Sequence, residues 1–191
     1  MRYGDFIQTY SGIEFYPLDP RIEEVKLLDI AHALSNICRF TGHCNEFYSV
    51  AQHSVLVSQY VSEENALWGL LHDASEAYIC DIARPVKKSL EMKPYKEIEK
   101  RLMNVIAKTF NLSEDEPKEV KEIDTKMLRT EARDLGLITE ITHSFGKSGF
   151  STSFTVDSGG RLGRGTLSNY IKMIDNKRES GSVYYEDIQI E

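Results

Sequence analysis

Apolar residues between residues 27 and 136 recur with helical spacing, and this pattern constrains the fold more than any other feature of the sequence. Ile30, Ala33, Leu34 and Ile37 are three, one and three residues apart, which places them on one face of a helix. The apolar residues of SVAQHSVLV indicate a second helix, and Ser49 is suited to cap its start. The body of the chain is therefore predicted to be all-α.

Further helices follow from apolar runs and from proline and glycine positions. The segment from Glu63 to about Ile79 is largely apolar through ALWGLL, so it is predicted to form one helix close to the core. Three more helices are predicted: a short one that begins at Pro85, one from Pro94 through Phe110, and a charged one, EPKEVKEIDTKMLRTEARDL, that ends at Gly136.

The two ends of the chain differ from this helical body. The stretch FIQTYSGIEFYPLDP surrounds a Ser11-Gly12 turn signal and predicts a short hairpin or extended arm. Residues 139–165 are rich in Ser, Thr and Gly and predict a loop or hairpin excursion, followed by a peripheral helix around LSNYIKMID. We expect a single domain over residues 1–191, with a core at about 13–138 and a peripheral extension at 139–191.

Composition restricts the classes of partner. A net charge of -7 disfavours binding to a nucleic-acid polymer, although a local basic pocket for a small phosphate is compatible with it. Three cysteines, none in a C-x-x-C pair, argue against a disulfide framework and favour a reducing, cytoplasmic compartment. The N-terminus has no apolar signal core and no apolar run is long enough to span a bilayer, so no membrane partner is expected.

The stretch LLHDASEAYICDIARP, residues 70–85, places ligand-type side chains directly after apolar ones. A lone His72-Asp73 pair also suits a protein core, where the histidine is hydrogen-bonded and the aspartate caps a helix or pairs with a lysine. That alternative weakens because His53 and Asp124 lie in the middle of two other predicted helices. Burying such a polar or charged side chain costs roughly several kcal/mol of folding free energy unless it is paired or bound to a metal ion.

Two imidazoles and two carboxylates make a mixed nitrogen and oxygen site. Mn²⁺, Fe²⁺, Co²⁺, Ni²⁺ and Zn²⁺ suit such a site better than Ca²⁺, which prefers oxygen alone. A bound ion of this kind makes water more acidic and neutralises a phosphoryl oxygen, so a hydrolase is the expected class of enzyme.

The order of these residues, His53, His72-Asp73 and Asp124, resembles the HD-domain superfamily of metal-dependent phosphohydrolases, which are all-helical bundles. Further segments, namely CRF at 38–40, HS at 53–54, HDASE at 72–76, Asp81 and PVK at 85–87, resemble the bacterial 5'-deoxyribonucleotidase branch. The segments YPLDP, DIAHALS, CRFTGH, YSVAQHSVLV and HDASEAY are similar to small HD proteins that include phage dATP triphosphohydrolases. The resemblance covers about residues 13–135.

The resemblance implies a role for each matched residue. His53, His72, Asp73 and Asp124 would hold a divalent metal ion, with Mg²⁺ added to the candidates above. Glu76 would orient or deprotonate the attacking water, and Asp81 would contact the sugar or assist protonation of the leaving group. Arg39 and Phe40 would hold phosphate and base. Arg84, Lys87 and Lys88 are candidates for gripping further phosphates, although Lys88 suits a solvated helix face equally well.

The expected function is metal-dependent hydrolysis of a small-molecule deoxynucleotide by an oligomer of this chain. The substrate is either a deoxynucleoside triphosphate, with dATP a leading candidate, giving nucleoside and triphosphate, or a monophosphate giving nucleoside and phosphate. Two alternatives remain open: a catalytically silent HD module that senses nucleotides, and a hydrolase of the guanosine-tetraphosphate type. Retention of Glu76 beside the four ligand residues argues against the silent module.

Overall fold

The computed structural model describes residues 2–137, which begin with a small antiparallel hairpin of β1, Ile7–Gln8, and β2, Glu14–Phe15. Gly12 has a φ of +84°, a left-handed conformation that favours glycine, and it lies in the turn between the strands. The backbone N–H and the hydroxyl of Ser11 donate to the buried carboxylate of Asp29, at 2.7 and 2.8 Å. The predicted hairpin is confirmed, and it is attached to the helical body.

Helices make up most of the remaining described chain, which confirms the all-α prediction at this level. The seven α-helices within residues 2–137 are α1 Leu27–Asn36, α2 Val50–Tyr60, α3 Ala66–Leu71, α4 Glu76–Ile79, α5 Arg84–Lys87, α6 Lys93–Thr109 and α7 Lys118–Asp134. Short 3₁₀ turns occur at Ile22–Glu24, Phe40–Gly42, Glu63–Asn65 and Leu90–Met92. The predicted excursion at 139–165 and the helix around LSNYIKMID lie outside the described residues.

Most predicted helix boundaries are confirmed. Ser49 caps α2 by accepting a hydrogen bond from the Gln52 N–H, while the Gln52 side chain accepts one from the Ser49 N–H. Pro94 lies in the first turn of α6, as expected of a residue that lacks an N–H donor. Gly136 follows α7 with a φ of +75° and ends it.

The predicted single helix from Glu63 to about Ile79 is wrong, because the chain tightens between α3 and α4 at residues 72–75. The N–H of Ala74 donates to the carbonyl of Leu71, and the N–H of Glu76 donates to the carbonyl of Asp73. These bonds span three residues, the 3₁₀ pattern, where an α-helix would span four. The break changes the angular spacing of the ligand-type residues, since a 3₁₀ turn has about three residues rather than 3.6.

The main core lies where α1, α2, α3 and α6 meet, and its largest fully buried side chains include Phe15, Ile30, Leu34, Leu70, Leu71, Leu102 and Ile106. Gly69 marks the contact of α3 with α2, since a Cβ atom there would lie 3.0 Å from the Cα atom of Ser58. The backbones of α3 and α2 are therefore in direct contact where the two helices cross. Within residues 2–137, no helix has both the length and the apolar composition that crossing a bilayer requires.

Candidate metal centre

Two histidines from adjacent helices face each other at the centre of the site. His53 is fully buried in the middle of α2, and His72 follows the last residue of α3. Their Nε2 atoms lie 3.2 Å apart. Gly69, three residues before His72, lies where α3 packs closely on α2.

The hydrogen bonds of the other ring nitrogens define the tautomer of each histidine. Nδ1 of His72 lies 2.7 Å from the Gly69 carbonyl oxygen, which can only accept a hydrogen bond. Nδ1 of His53 lies 2.7 Å from Oε1 of Glu131, a carboxylate oxygen. Each Nδ1 therefore carries the proton, and both Nε2 lone pairs point toward the same place.

Two carboxylates complete this arrangement. Oδ2 of Asp73 lies 3.2 Å from Nε2 of His72 and 3.7 Å from Nε2 of His53. Oδ1 of Asp124, on α7, lies 3.2 Å from Nε2 of His53 and 4.0 Å from Nε2 of His72. The structure thus brings together all four residues that the sequence nominated as ligands.

His53, His72 and Asp73 form a group that could hold a metal ion, because one donor atom from each lies within 4.8 Å of the others. The donor chemistry fits a divalent cation. Two nitrogen ligands at about 2.0–2.1 Å from one ion, at a right angle, lie about 3 Å apart, close to the separation of the Nε2 atoms. Two neutral nitrogens with facing lone pairs require a proton or a cation between them.

The electrostatics of the cluster also favour a positive charge. Burial opposes protonation of His72, but Asp73 and Asp124 outweigh it and raise its pKa to about 10. Burial would likewise favour a neutral Asp73, yet His72, His53 and Arg39 hold the pKa of its carboxyl well below the usual range. The site therefore offers a negative potential to whatever cation occupies it.

Glu131 is a functional candidate that the sequence analysis missed. It lies on α7, is fully buried, and accepts hydrogen bonds at Oε1 from His53 and from the hydroxyl of Tyr48, the latter at 2.8 Å. In the sequence it stands among alternating charges, which are typical of a solvated helix face. The one available signal was its position seven residues after Asp124, two turns along the same face.

Arg39 lies inside the site with its guanidinium between two carboxylates. Its Nε is 3.2 Å from Oε2 of Glu131, and its Nη1 is 3.5 Å from Oδ2 of Asp73. Only 7% of the residue is exposed, and Phe40 places its ring 5.5 Å from the guanidinium carbon. The predicted contacts of Arg39 and Phe40 with phosphate and base stay predictions, and the structure shows Arg39 as a counter-ion within the site.

The backbone after Arg39 is constrained. Phe40 and Thr41 both have positive φ values, +54° and +56°, which cost non-glycine residues about 1–3 kcal/mol each. Gly42 continues the left-handed stretch with a φ of +78°. A short, strained turn therefore follows Arg39 directly.

Glu76 begins α4, one short turn after Asp73, and is 5% exposed. Its Oε2 is buried and has no hydrogen-bond partner among the described residues. Burial raises the pKa of its carboxyl, and the negative charges of Asp73 and Asp81 raise it further. A carboxylate in this state is a stronger base than an exposed one, and the role predicted for Glu76 stays a prediction.

The remaining predicted residues lie around Glu76 at different depths. Asp81 is half-buried, and burial together with Asp73 raises the pKa of its carboxyl. Lys87 pairs with Glu99, and its Nζ lies 4.0 Å from Oε1 of Glu76. Arg84 and Lys88 are exposed on or next to α5. Of the three basic residues nominated for phosphate contacts, Lys87 alone has a described ion pair with Glu76.

Comparisons with known proteins place the chain among bacterial relatives. A scan against protein-family models gives no match. The chain is 48% identical over 132 residues to the uncharacterized protein YfdR of Escherichia coli K12, covering 69% of this chain and 73% of YfdR. An uncharacterized protein of Rhodobacter capsulatus is 33% identical over 143 residues, with 68% of this chain and 72% of the relative covered. At these identities and coverages, the chain belongs to the protein family of YfdR.

Proposed function

We propose that this chain is a metal-dependent phosphohydrolase of the HD type that hydrolyses deoxynucleotides. The observation that carries the proposal is the pair of Nε2 atoms 3.2 Å apart, each with its Nδ1 proton engaged elsewhere and with Asp73 and Asp124 beside them. A core histidine pair would need no such convergence of lone pairs and carboxylates. The order of these residues in the sequence also resembles that superfamily.

A bound divalent ion would supply positive charge to phosphoryl oxygens and acidify water, and His53, His72, Asp73 and Asp124 would hold it. In the proposed reaction, water attacks phosphorus and the bond from phosphorus to the 5'-oxygen of the nucleoside breaks. Glu76 accepts the proton of the attacking water, since its unpartnered Oε2 and raised pKa suit a general base. Asp81, the residue that the resemblance to the superfamily nominates for the leaving group, delivers a proton to the departing 5'-oxygen.

The basic residues near the site bear on the substrate. A triphosphate needs positive groups beyond the metal, and Lys87 is the nominated residue that approaches Glu76. Arg84 and Lys88 are exposed on or next to α5, the helix that carries Lys87, and we assign them to the more distant phosphates of a longer polyphosphate. We therefore propose deoxynucleoside triphosphates, dATP first, as the substrate class to test, with monophosphates as the second class.

The test is incubation of the full chain with a panel of deoxynucleoside tri- and monophosphates in the presence of Mn²⁺, Co²⁺ or Mg²⁺. The products are separated by ion exchange, so that triphosphate, pyrophosphate and phosphate are distinguished. We expect deoxynucleoside together with triphosphate or phosphate, and loss of the reaction in the His72→Ala protein. Tight nucleotide binding without hydrolysis under every metal would instead favour the sensor alternative.

A further inference from the structure

The carboxylate of Glu131 holds a central position in the protein because it joins three segments at one buried point. It contacts Tyr48 before α2, His53 within α2, and Arg39 in the segment after α1. The side chain has no exposed surface. Desolvating a buried carboxylate costs roughly several kcal/mol of folding free energy unless its oxygens are paired.

Its contacts divide between its two oxygens. Oε1 accepts hydrogen bonds from the Tyr48 hydroxyl and from Nδ1 of His53, at 2.8 and 2.7 Å. Oε2 faces Nε of Arg39 at 3.2 Å, an ion pair without the linear geometry of a hydrogen bond. Tyr48 and Arg39 therefore fix the carboxylate from two sides, and its remaining interaction is directed at the His53 ring.

We propose that Glu131 is a positioning residue that acts through His53 on metal binding, by holding the imidazole in the tautomer whose Nε2 faces the centre. This role rests on the proposed metal-dependent function. A carboxylate behind a metal-binding imidazole fixes the orientation of the ring and increases the basicity of the ligand nitrogen. Without it, the His53 proton can move to Nε2, and that nitrogen then no longer donates a lone pair.

Arg39 extends the effect of Glu131 to a second ligand. Its guanidinium lies between Oε2 of Glu131 and Oδ2 of Asp73, so one buried cation is shared by the positioning carboxylate and a ligand carboxylate. His53 on α2 and Asp73 in the turn after α3 are thereby held by one connected set of charges. A displaced Glu131 carboxylate would loosen both His53 and Asp73.

The test measures metal affinity in variants of the full chain, by calorimetric titration with Mn²⁺ and by the absorption spectrum of bound Co²⁺. Glu131→Gln keeps an acceptor for His53 but removes the charge, and Glu131→Met keeps similar volume without an acceptor. We expect affinity to fall in the order wild type, Gln, Met, with a loss of about 10- to 100-fold in the Met variant. The Co²⁺ spectrum should change with the loss of His53 as a ligand.

Tyr48→Phe removes one of the two contacts that fix the carboxylate but leaves the His53 contact in place, so we expect a smaller loss of metal affinity than in Glu131→Met. A purely structural Glu131 would lower unfolding stability in all three variants and leave the metal affinity of the folded protein unchanged, and that result overturns the proposal. If Glu131→Met does not fold, unchanged affinity in Glu131→Gln overturns it equally. A wild-type protein without metal affinity overturns the proposed function and this role together, whereas unaltered variants beside a metal-binding wild type overturn this role alone.

Discussion

Glu76 is the residue at which the proposed catalysis can be tested most directly. Its carboxylate is buried beside Asp73 and Asp81, with Oε1 4.0 Å from Nζ of Lys87 and Oε2 unpartnered among the described residues, and an unpartnered buried oxygen costs stability. We expect Glu76→Gln to retain metal and nucleotide binding, since it preserves shape, while kcat falls by about 10²- to 10⁴-fold, the scale of general acid-base catalysis. Metal content, nucleotide affinity and kcat are measured on one preparation.

A matched substitution separates this effect from simple loss of negative charge. Glu97→Gln makes the same change at an exposed position on α6 and should leave kcat at the wild-type value. Near wild-type turnover in Glu76→Gln with intact metal would remove Glu76 from the mechanism.

The residues of the site differ in how strongly the sequence pattern indicated them as functional. His53, His72, Asp73 and Asp124 stand out because a histidine or an aspartate in an apolar helical stretch conflicts with burial. Glu131 does not stand out, because it lies between Arg129 and Arg133 in a charged run where solvated glutamates are common. Its burial depends on contacts with Tyr48 and His53, more than seventy positions away, which local pattern cannot report.

Among the secondary-structure elements, helix α2 allows a comparison of a serine that caps its start with a serine inside it. Ser49 and Ser54 are both buried, but Ser49 forms the capping box with Gln52 whereas the Ser54 hydroxyl has no partner among residues 2–137. We expect Ser49→Ala to lower the free energy of unfolding by about 0.5–2 kcal/mol, the usual cost of losing an N-cap. Ser54→Ala should leave the stability unchanged or raise it, because it removes an unsatisfied buried hydroxyl.

Urea denaturation followed by far-ultraviolet circular dichroism measures both variants, and the two proteins serve as controls for each other. Equal losses of stability in Ser49→Ala and Ser54→Ala would show that the capping box contributes nothing beyond a buried oxygen.

Element boundaries were predictable where a local chemical signal marks them. Ser49, Pro94 and Gly136 each mark a helix end by a side-chain acceptor, a missing donor or a left-handed φ. The interruption at residues 72–75 contains neither proline nor glycine, and Ser75, which precedes α4, makes no capping hydrogen bond. It accompanies a local hydrogen bond from His72 to the Gly69 carbonyl and the convergence of His72 on α2, and the second of these is a tertiary effect.

For the whole molecule, the candidate ligands connect parts of the chain that are far apart in sequence. They come from α2, from the turn after α3 and from α7, so a cation bound to them links these segments in the folded state alone. We expect Mn²⁺ at a hundredfold excess over its Kd to stabilise the fold by about 2.7 kcal/mol. In a chain of this length that corresponds to a rise in Tm of roughly 5–10 °C.

Thermal unfolding with Mn²⁺, and with EDTA in its place, measures this rise. Asp124→Asn is the control variant, because it removes one ligand charge from α7 and should shrink the rise while the fold is retained. An identical Tm with metal and with chelator, in a protein that binds Mn²⁺ by calorimetry, would show that the ion binds the unfolded chain equally well, which contradicts a site assembled from these three segments.

The absence of a side chain at Gly69 has a consequence for the size of the ion that His53 and His72 would hold. Gly69 allows α3 to touch the backbone of α2 at Ser58, and we infer that this close approach helps to fix the separation of His53 on α2 and His72 after α3. In Gly69→Ala the new methyl group would meet that backbone at 3.0 Å, so the helices must part by a few tenths of an ångström. A wider pair of imidazoles holds a large ion better than a small one, and competition between Mn²⁺ and Zn²⁺ should shift toward Mn²⁺ in this variant.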